Sequence, residues 1–230
     1  MRSITSRTFL ALIIVLLIAV GLAVLRYFLQ ERDLAVLRET FGGEVSALCN
    51  RPPQWIPESF VDWCYERVVG LTEDEDKRTE VRSIVFRVLG GHFDTASIDM
   101  TSVPADPGDA LRRLSQVETL WIDARASSKI TEADGTSICR AVRAMTAVRR
   151  LRLDGPQAFT DTSLASLASH PNLQRVILFG GSITRASIPT FSSLPSLTDL
   201  RVPATSGGLT QEDYRAIRAA LHPKVVVIRP

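Results

Sequence analysis

The sequence predicts an α/β protein: a solenoid of helix–strand repeats with a curved parallel sheet inside and helices outside, preceded by an N-terminal transmembrane helix and a capping segment. Three observations carry this expectation. A strand pattern, apolar-x-x-apolar-x-apolar, recurs at Val117/Leu120/Ile122, Val148/Leu151/Leu153, Leu173/Val176/Leu178 and Leu197/Leu200/Val202, with a looser copy at Val226 and Ile228. After each of the first four strand copies an apolar residue and a threonine stand together, at Ile130-Thr131, Phe159-Thr160, Ile183-Thr184 and Leu209-Thr210. Near the N-terminus, Phe9 to Leu25 is a run of seventeen residues without a charge.

The middle residues of the strand copies are 31, 25, 24 and 26 positions apart. Each step holds one helix and one strand, and units of this length stack side by side. Threonine at a helix start accepts a hydrogen bond from an otherwise unpaired backbone N–H, worth about 1 kcal/mol. Asp134, Ser163, Ser187 and Asp213 stand three residues on, where a polar side chain strengthens the start, although Glu or Gln is the usual choice there. Apolar residues then follow at helical spacing (Leu164 and Leu167; Tyr214, Ile217 and Leu221), and Pro171, Pro195 and Pro223 lie just past the helix ends. Pro189 is expected to interrupt the helix that Thr184 begins.

Residues 1–29 read as a short basic tail and a membrane span. Seventeen residues of helix reach about 26 Å, near one bilayer core, and Arg26 can extend towards the headgroups. The alternative is a cleaved signal peptide, since Arg2 and Arg7 precede the run and Ala19, Gly21 and Ala23 lie near its end. The length, and a helical pattern continuing through Leu29, Leu34 and Leu37, favour a retained anchor. Arginines flank the span on both sides, so the positive-inside count is undecided. A short basic tail held in the cytosol places the C-terminal domain on the non-cytoplasmic side.

Residues 30–80 read as a connecting segment. Residues 30–41 continue as an amphipathic helix that Gly42-Gly43 stops, and Val45–Cys49 suits a short strand. Pro52, Pro53 and Pro57 mark a turn before a helix over Pro57–Val69. Trp55, Phe60, Trp63 and Tyr65 are expected to cover the first end of the stack, which solenoids require. Thr72–Lys77 reads as an exposed acidic loop without the ligand spacing of a calcium site.

Residues 81–230 form the repeat domain, regular from about 117. Val81–Val88 and Phe93–Met100 read as two strands around Gly90-Gly91, a hairpin or a degenerate first repeat. Pro104 and Pro107 break the chain before a short helix over Asp109–Leu114.

The net charge of +2 gives no argument for nucleic acid. Cys49 and Cys64 could close a disulfide loop, or they and Cys139 are small core residues. No Cys/His cluster has metal spacing, and neither a phosphate-binding G-x-x-x-x-G-K-[S/T] nor a G-x-S-x-G turn occurs. Of His92, His170 and His222, the last two precede prolines at helix ends, where histidine meets unpaired carbonyls. The expectation is therefore no enzyme, no cofactor or metal, and no small-molecule substrate.

The run Phe159-Thr160-Asp161-Thr162-Ser163-Leu164-Ala165-Ser166-Leu167, followed by Pro171-Asn172-Leu173-x-x-Val176-x-Leu178, resembles the bacterial type of leucine-rich repeat, L-x-x-L-x-L then [V/I]-T-D-x-x-L-x-x-L. Four to five units over roughly 95–230 share it. The front half is similar to membrane-anchored bacterial members. The asparagine ladder usual in that superfamily is missing, with Gly181 at its place in one unit, and the Thr131 repeat is longer. The resemblance implies a protein-binding or scaffolding surface and brings no catalytic residues.

That surface is the concave sheet. If Leu120, Ile122 and their equivalents point inward, strand alternation exposes the residues between them. One column is Trp121, Arg152, Ile177, Arg201 and Val227; the next is Thr119, Arg150, Arg175 and Asp199. The candidate partner-binding residues are Trp121, Arg150, Arg152, Arg175, Ile177 and Arg201. Arginine bonds carboxylate and phosphate bidentately, which suits an acidic protein segment or anionic polymer. The alternative is a solvated face on which Asp123, Asp154 and Asp199 offset the charge. A second functional expectation is a structural envelope component that self-assembles through repeat ends, because the strand over Lys224–Pro230 has no following repeat to cover it.

Overall fold

A computed structural model of the chain describes residues 6–49, 75–88, 91–155, 157–202 and 209–228; the side chains of 6–13, 15–16, 75–78, 81 and 88 lie outside that description. The element order is α1 (Ser6–Phe41), β1 (Val45–Leu48), α2 (Glu75–Val88), β2 (Thr95–Asp99), α3 (Pro107–Leu111), β3 (Thr119–Asp123), α4 (Glu132–Ala144), β4 (Arg150–Asp154), α5 (Asp161–Ala165), β5 (Arg175–Phe179), α6 (Ile188–Ser192), β6 (Asp199–Arg201), α7 (Gln211–Leu221) and β7 (Val226–Ile228). The chain divides into two compact units, Leu34–Ala47 with Phe93–Pro230, and Met1–Asp33 with Leu48–His92.

The first unit is built on a seven-stranded sheet whose spatial order follows the sequence, β1 to β7. Each pair from β2–β3 to β6–β7 is parallel. Parallel neighbours need a crossover between them, and helices supply it. Along each strand the apolar residues of the sequence pattern are buried: Leu120 and Ile122, Leu151 and Leu153, Val176 and Leu178, Leu200 and Val202. Ile130, Phe159, Ile183 and Leu209, the apolar residues before the threonines, join the same core. Leu34, Leu37 and Phe41 also belong to it, so the helix expected over 30–41 is the end of α1 and is packed rather than free-standing.

The four threonines cap helices as expected. Thr131 and Thr160 each take part in a reciprocal capping box, closed by Asp134 and Ser163 in place of the longer Glu or Gln. Thr210 accepts from the Asp213 N–H at 3.0 Å. Thr184 differs, accepting from the Ala186 N–H at 3.1 Å and opening a 3-10 turn over Arg185–Ser187. Pro189 then sits in the first turn of α6, where no N–H is needed, so it begins a helix rather than interrupting one.

Successive helix starts are also tied to one another. Thr160 Oγ1 donates to Glu132 Oε2 at 2.6 Å. Asp161 accepts from the Thr184 N–H at 2.9 Å, from Thr184 Oγ1 at 2.7 Å, and from Ser187 Oγ. The Arg185 N–H donates to Asp213 Oδ1 at 3.3 Å. These bonds form a lateral ladder along the helix starts.

The second unit contains α1 up to Asp33, together with α2. Arg87 is buried, donating to Glu31 Oε1 at 2.6 Å with its guanidinium 4.8 Å from the Tyr27 ring centre. The Cys49 N–H donates to Ser83 Oγ at 2.8 Å. Among the described residues no helix is long and apolar enough to cross a membrane. Within α1, Leu17, Ile18, Val20, Leu22, Leu25 and Phe28 are exposed.

Further expectations are corrected here. Val81–Val88 is helix, not strand, and Glu75–Lys77 belongs to the same helix rather than to a loop. Val81, Ile84, Val85 and Val88 recur at i, i+3, i+4 and i+7, a helical period that outweighs the local richness in β-branched residues. The hairpin reading fails with it, since β2 pairs in parallel with β3. The helix over Pro57–Val69, the capping aromatics and Cys64 lie outside the described residues.

Gly135 gives a direct test of packing. A Cβ there would overlap the Ala158 carbonyl oxygen. Alanine in a helix interior ordinarily stabilises by about 1 kcal/mol over glycine. Gly135→Ala is expected to destabilise instead, by about 1–3 kcal/mol as an overpacked site, read from urea unfolding.

Candidate protein-interaction face

The strand register places the candidate residues in rows across the sheet. Thr119, Arg150, Arg175, Asp199 and Val226 form one row, and Ser97, Trp121, Arg152, Ile177, Arg201 and Ile228 the next. Val227, expected in the tryptophan row, is buried at 8% exposure, and Ile228 takes that place. The last strand copy is looser than the others, and a one-residue slip exchanges faces. A third row, Asp99, Asp123, Asp154 and Phe179, stands at the strand ends.

Trp121 is 44% exposed and Arg150 is exposed. The Arg152 guanidinium lies between two rings, 4.5 Å from the Phe179 centre and 5.4 Å from the Trp121 centre. Its Nη2 is 3.9 Å from Asp154 Oδ2. Arg175 Nε bonds Asp199 Oδ2 at 2.6 Å, and Arg201 Nη2 reaches the same oxygen at 3.6 Å. Asp199 Oδ1 and Arg201 Nε are buried without a hydrogen-bond partner among the described residues.

The six candidates are thus brought together on one face, but they do not make a uniformly positive patch. Arg152, Arg175 and Arg201 are already engaged by aspartates. Arg150 is the exposed arginine of the set without an ion pair among the described residues.

The strand-end carboxylates behave differently from one another. Arg125 Nη2 meets Asp123 Oδ2 at 2.5 Å, and its Nε lies 3.2 Å from Asp154 Oδ2. The hydrogen bonds from Arg125 hold the Asp123 carboxyl below its usual range, against the effect of burial. Burial pushes Asp154 up, although Arg125 and Arg152 act in the opposite direction. Ser97, Asp99, Trp121, Asp123, Arg152 and Asp154 line a small recess here. Sequence reading missed Phe179 and Arg125 as members of this group. Phase along the strand, two residues past Ile177, is the signal that finds Phe179.

The histidines are not assembled into a site. His170 is fully buried, with Nε2 3.2 Å from the Met145 carbonyl and Nδ1 accepting from the Asn172 N–H at 3.3 Å. It therefore completes the end of α4, and burial lowers its pKa. His222 is the residue that ends α7, and its N–H donates to the Arg218 carbonyl at 3.0 Å. His92 lies in the other unit, 2.7 Å from Arg26 Nη2, with its pKa lowered by burial and by that arginine. Burial pushes the Cys139 thiol up to about 12. Among the described residues no group of three or more His, Cys, Asp or Glu could hold a metal ion.

No family model matches this chain, and no curated protein matches it.

His170 fixes the sign of one pH effect. Its neutral form is the one the core accepts, so its stabilising contribution is complete above the ordinary value of 6.5 and is lost as pH falls through the lowered folded value. Denaturant unfolding between pH 7 and 5 should show stability falling with pH, and His170→Gln should flatten that slope.

Proposed function

We propose that the chain is a single-pass, membrane-anchored leucine-rich-repeat protein that binds another protein, without catalysis, through the exposed face of its sheet. The observation that carries this reading is the unbroken register from Ser97 through Trp121, Arg152, Ile177 and Arg201 to Ile228. It sets aromatic, aliphatic and guanidinium groups in one row above a buried apolar layer. Such a row combines the side chains that dominate protein interfaces, Trp and Arg foremost. Stacking and ion pairs hold Arg152 and Arg201 in place, which lowers the entropy that binding must remove. The charge-free run Phe9–Leu25 and the exposed apolar side chains of α1 support the anchor. In the orientation favoured by the short basic tail, the sheet unit lies on the non-cytoplasmic side.

A structural component that assembles through its ends is the second reading. The edge strand β7 favours it, with Val226 at 60% and Ile228 at 38% exposure. An open edge with apolar side chains invites another strand.

A photoreactive phenylalanine analogue placed at Trp121 in the full chain, irradiated in native membranes, separates the readings. One discrete adduct with a different protein, absent when the analogue replaces exposed Ala133 on α4, is expected for a binding face. Adducts only between copies of the chain would favour assembly, and no adduct from Trp121 would reject the face.

A further inference from the structure

The charges of the sheet unit are segregated along the strand direction. Strands β2 to β7 are parallel and in sequential order, so they begin at one edge, and the helix that closely precedes one of them must end at that edge. Arg140 and Arg143 stand in the later part of α4, Arg149 just before and Arg150 at the start of β4, and Arg215 and Arg218 in the middle and the last turn of α7. All six are exposed, and among the described residues none makes an ion pair. Elsewhere in the unit the arginines are engaged: Arg125 by Asp123 and Asp154, Arg185 by Glu212 and Asp213, Arg201 by Asp199. The carboxylates at the strand-start edge, Asp94, Glu118 and Asp199, all have partners of their own, Asp199 being shared by Arg175 and Arg201. Cations near helix C-termini suit the helix dipole. That accounts for Arg143 and Arg218, but not for Arg149 and Arg150, which precede and begin a strand.

We infer that this strand-start edge is the docking surface for an acidic polypeptide segment with apolar side chains among its carboxylates. This rests on the reading of the sheet unit as a protein-binding module, and names the partner's chemistry. Two features select a polypeptide over a phosphate or sulfate polymer. The row that begins at the edge runs from Arg150 and Arg175 to exposed Val226, and beside it lie Trp121, Ile177 and Ile228. A ligand that neutralises the arginines therefore also meets aliphatic and aromatic surface, which a polyphosphate cannot cover. Base stacking on Trp121 is hindered because Arg152 already lies over that ring. Guanidinium groups bind carboxylates in forked pairs, and long-range attraction to such an edge would speed encounter.

The test uses the full chain in detergent micelles and fluorescence anisotropy with three labelled probes: a peptide alternating Glu and Leu, poly-glutamate, and a DNA duplex. The alternating peptide is expected to bind most tightly, and Arg140→Gln, Arg143→Gln, Arg149→Gln and Arg150→Gln combined should weaken it by about tenfold or more. Arg215→Gln with Arg218→Gln, remote in sequence from that cluster, should weaken it too, while Arg125→Gln should not. DNA binding as tight as peptide binding would overturn the polypeptide assignment. Undiminished peptide binding in both edge variants would overturn the edge. If Trp121→Ala still abolished binding in that case, the sheet face would stand as the binding surface without the edge. Far-UV circular dichroism of each variant confirms that folding is intact.

Discussion

Hydrogen bonds between consecutive helix starts set the spacing on which the sheet unit depends. The sheet ladder alone fixes each strand against its neighbour, but it leaves the helix layer free to drift. Glu132 to Thr160, Asp161 to Thr184 and Ser187, and Arg185 to Asp213 remove that freedom. Thr160, Thr184 and Asp213 are already held by their own caps, so little extra order is required for the bonds they make. With helix starts and strand register both set, Ile130, Phe159, Ile183 and Leu209 reach the core at equivalent places.

The same regularity decides the electrostatics of the sheet face. In-register arginines on neighbouring strands stand about 4.8 Å apart and would repel one another. Here that repulsion is relieved by aspartates in the same or the adjacent row, with Asp199 serving both Arg175 and Arg201. Arg152 is held by two rings and a carboxylate instead. The face is consequently patterned rather than simply basic, and its uncompensated charge is displaced to the strand-start edge.

Much of this was legible in the sequence, because strand burial and threonine capping are short-range rules. The steps between Leu120, Leu151, Val176 and Leu200 fix the parallel register that the sheet adopts. Misreadings arose where two periods compete or where a partner is distant. Val81–Val88 satisfies a strand composition and a helix spacing at once, and spacing decides. The final strand has too few residues to define its phase, so Val227 and Ile228 were exchanged. Arg152–Asp154 and Arg201–Asp199 are neighbours two apart on one strand, whereas the Arg175–Asp199 pair and the placement of Phe179 over Arg152 depend on which side chains meet across strands. A single sequence carries no local signal for that. At the candidate face, membership was readable, and the cross-strand part of the charge balance was not.

Sequential strand order has a consequence for how such a chain can change over time. Every strand pairs only with its immediate predecessor and successor in the sequence, as Val176 with Leu200, 24 positions later. Removing or duplicating one such segment would shorten or lengthen the sheet by a strand without rethreading any connection. The width of the molecule is therefore a quantity that gene duplication can adjust in whole steps, while each added segment brings its own cap, its own core residue and its own place in the exposed rows.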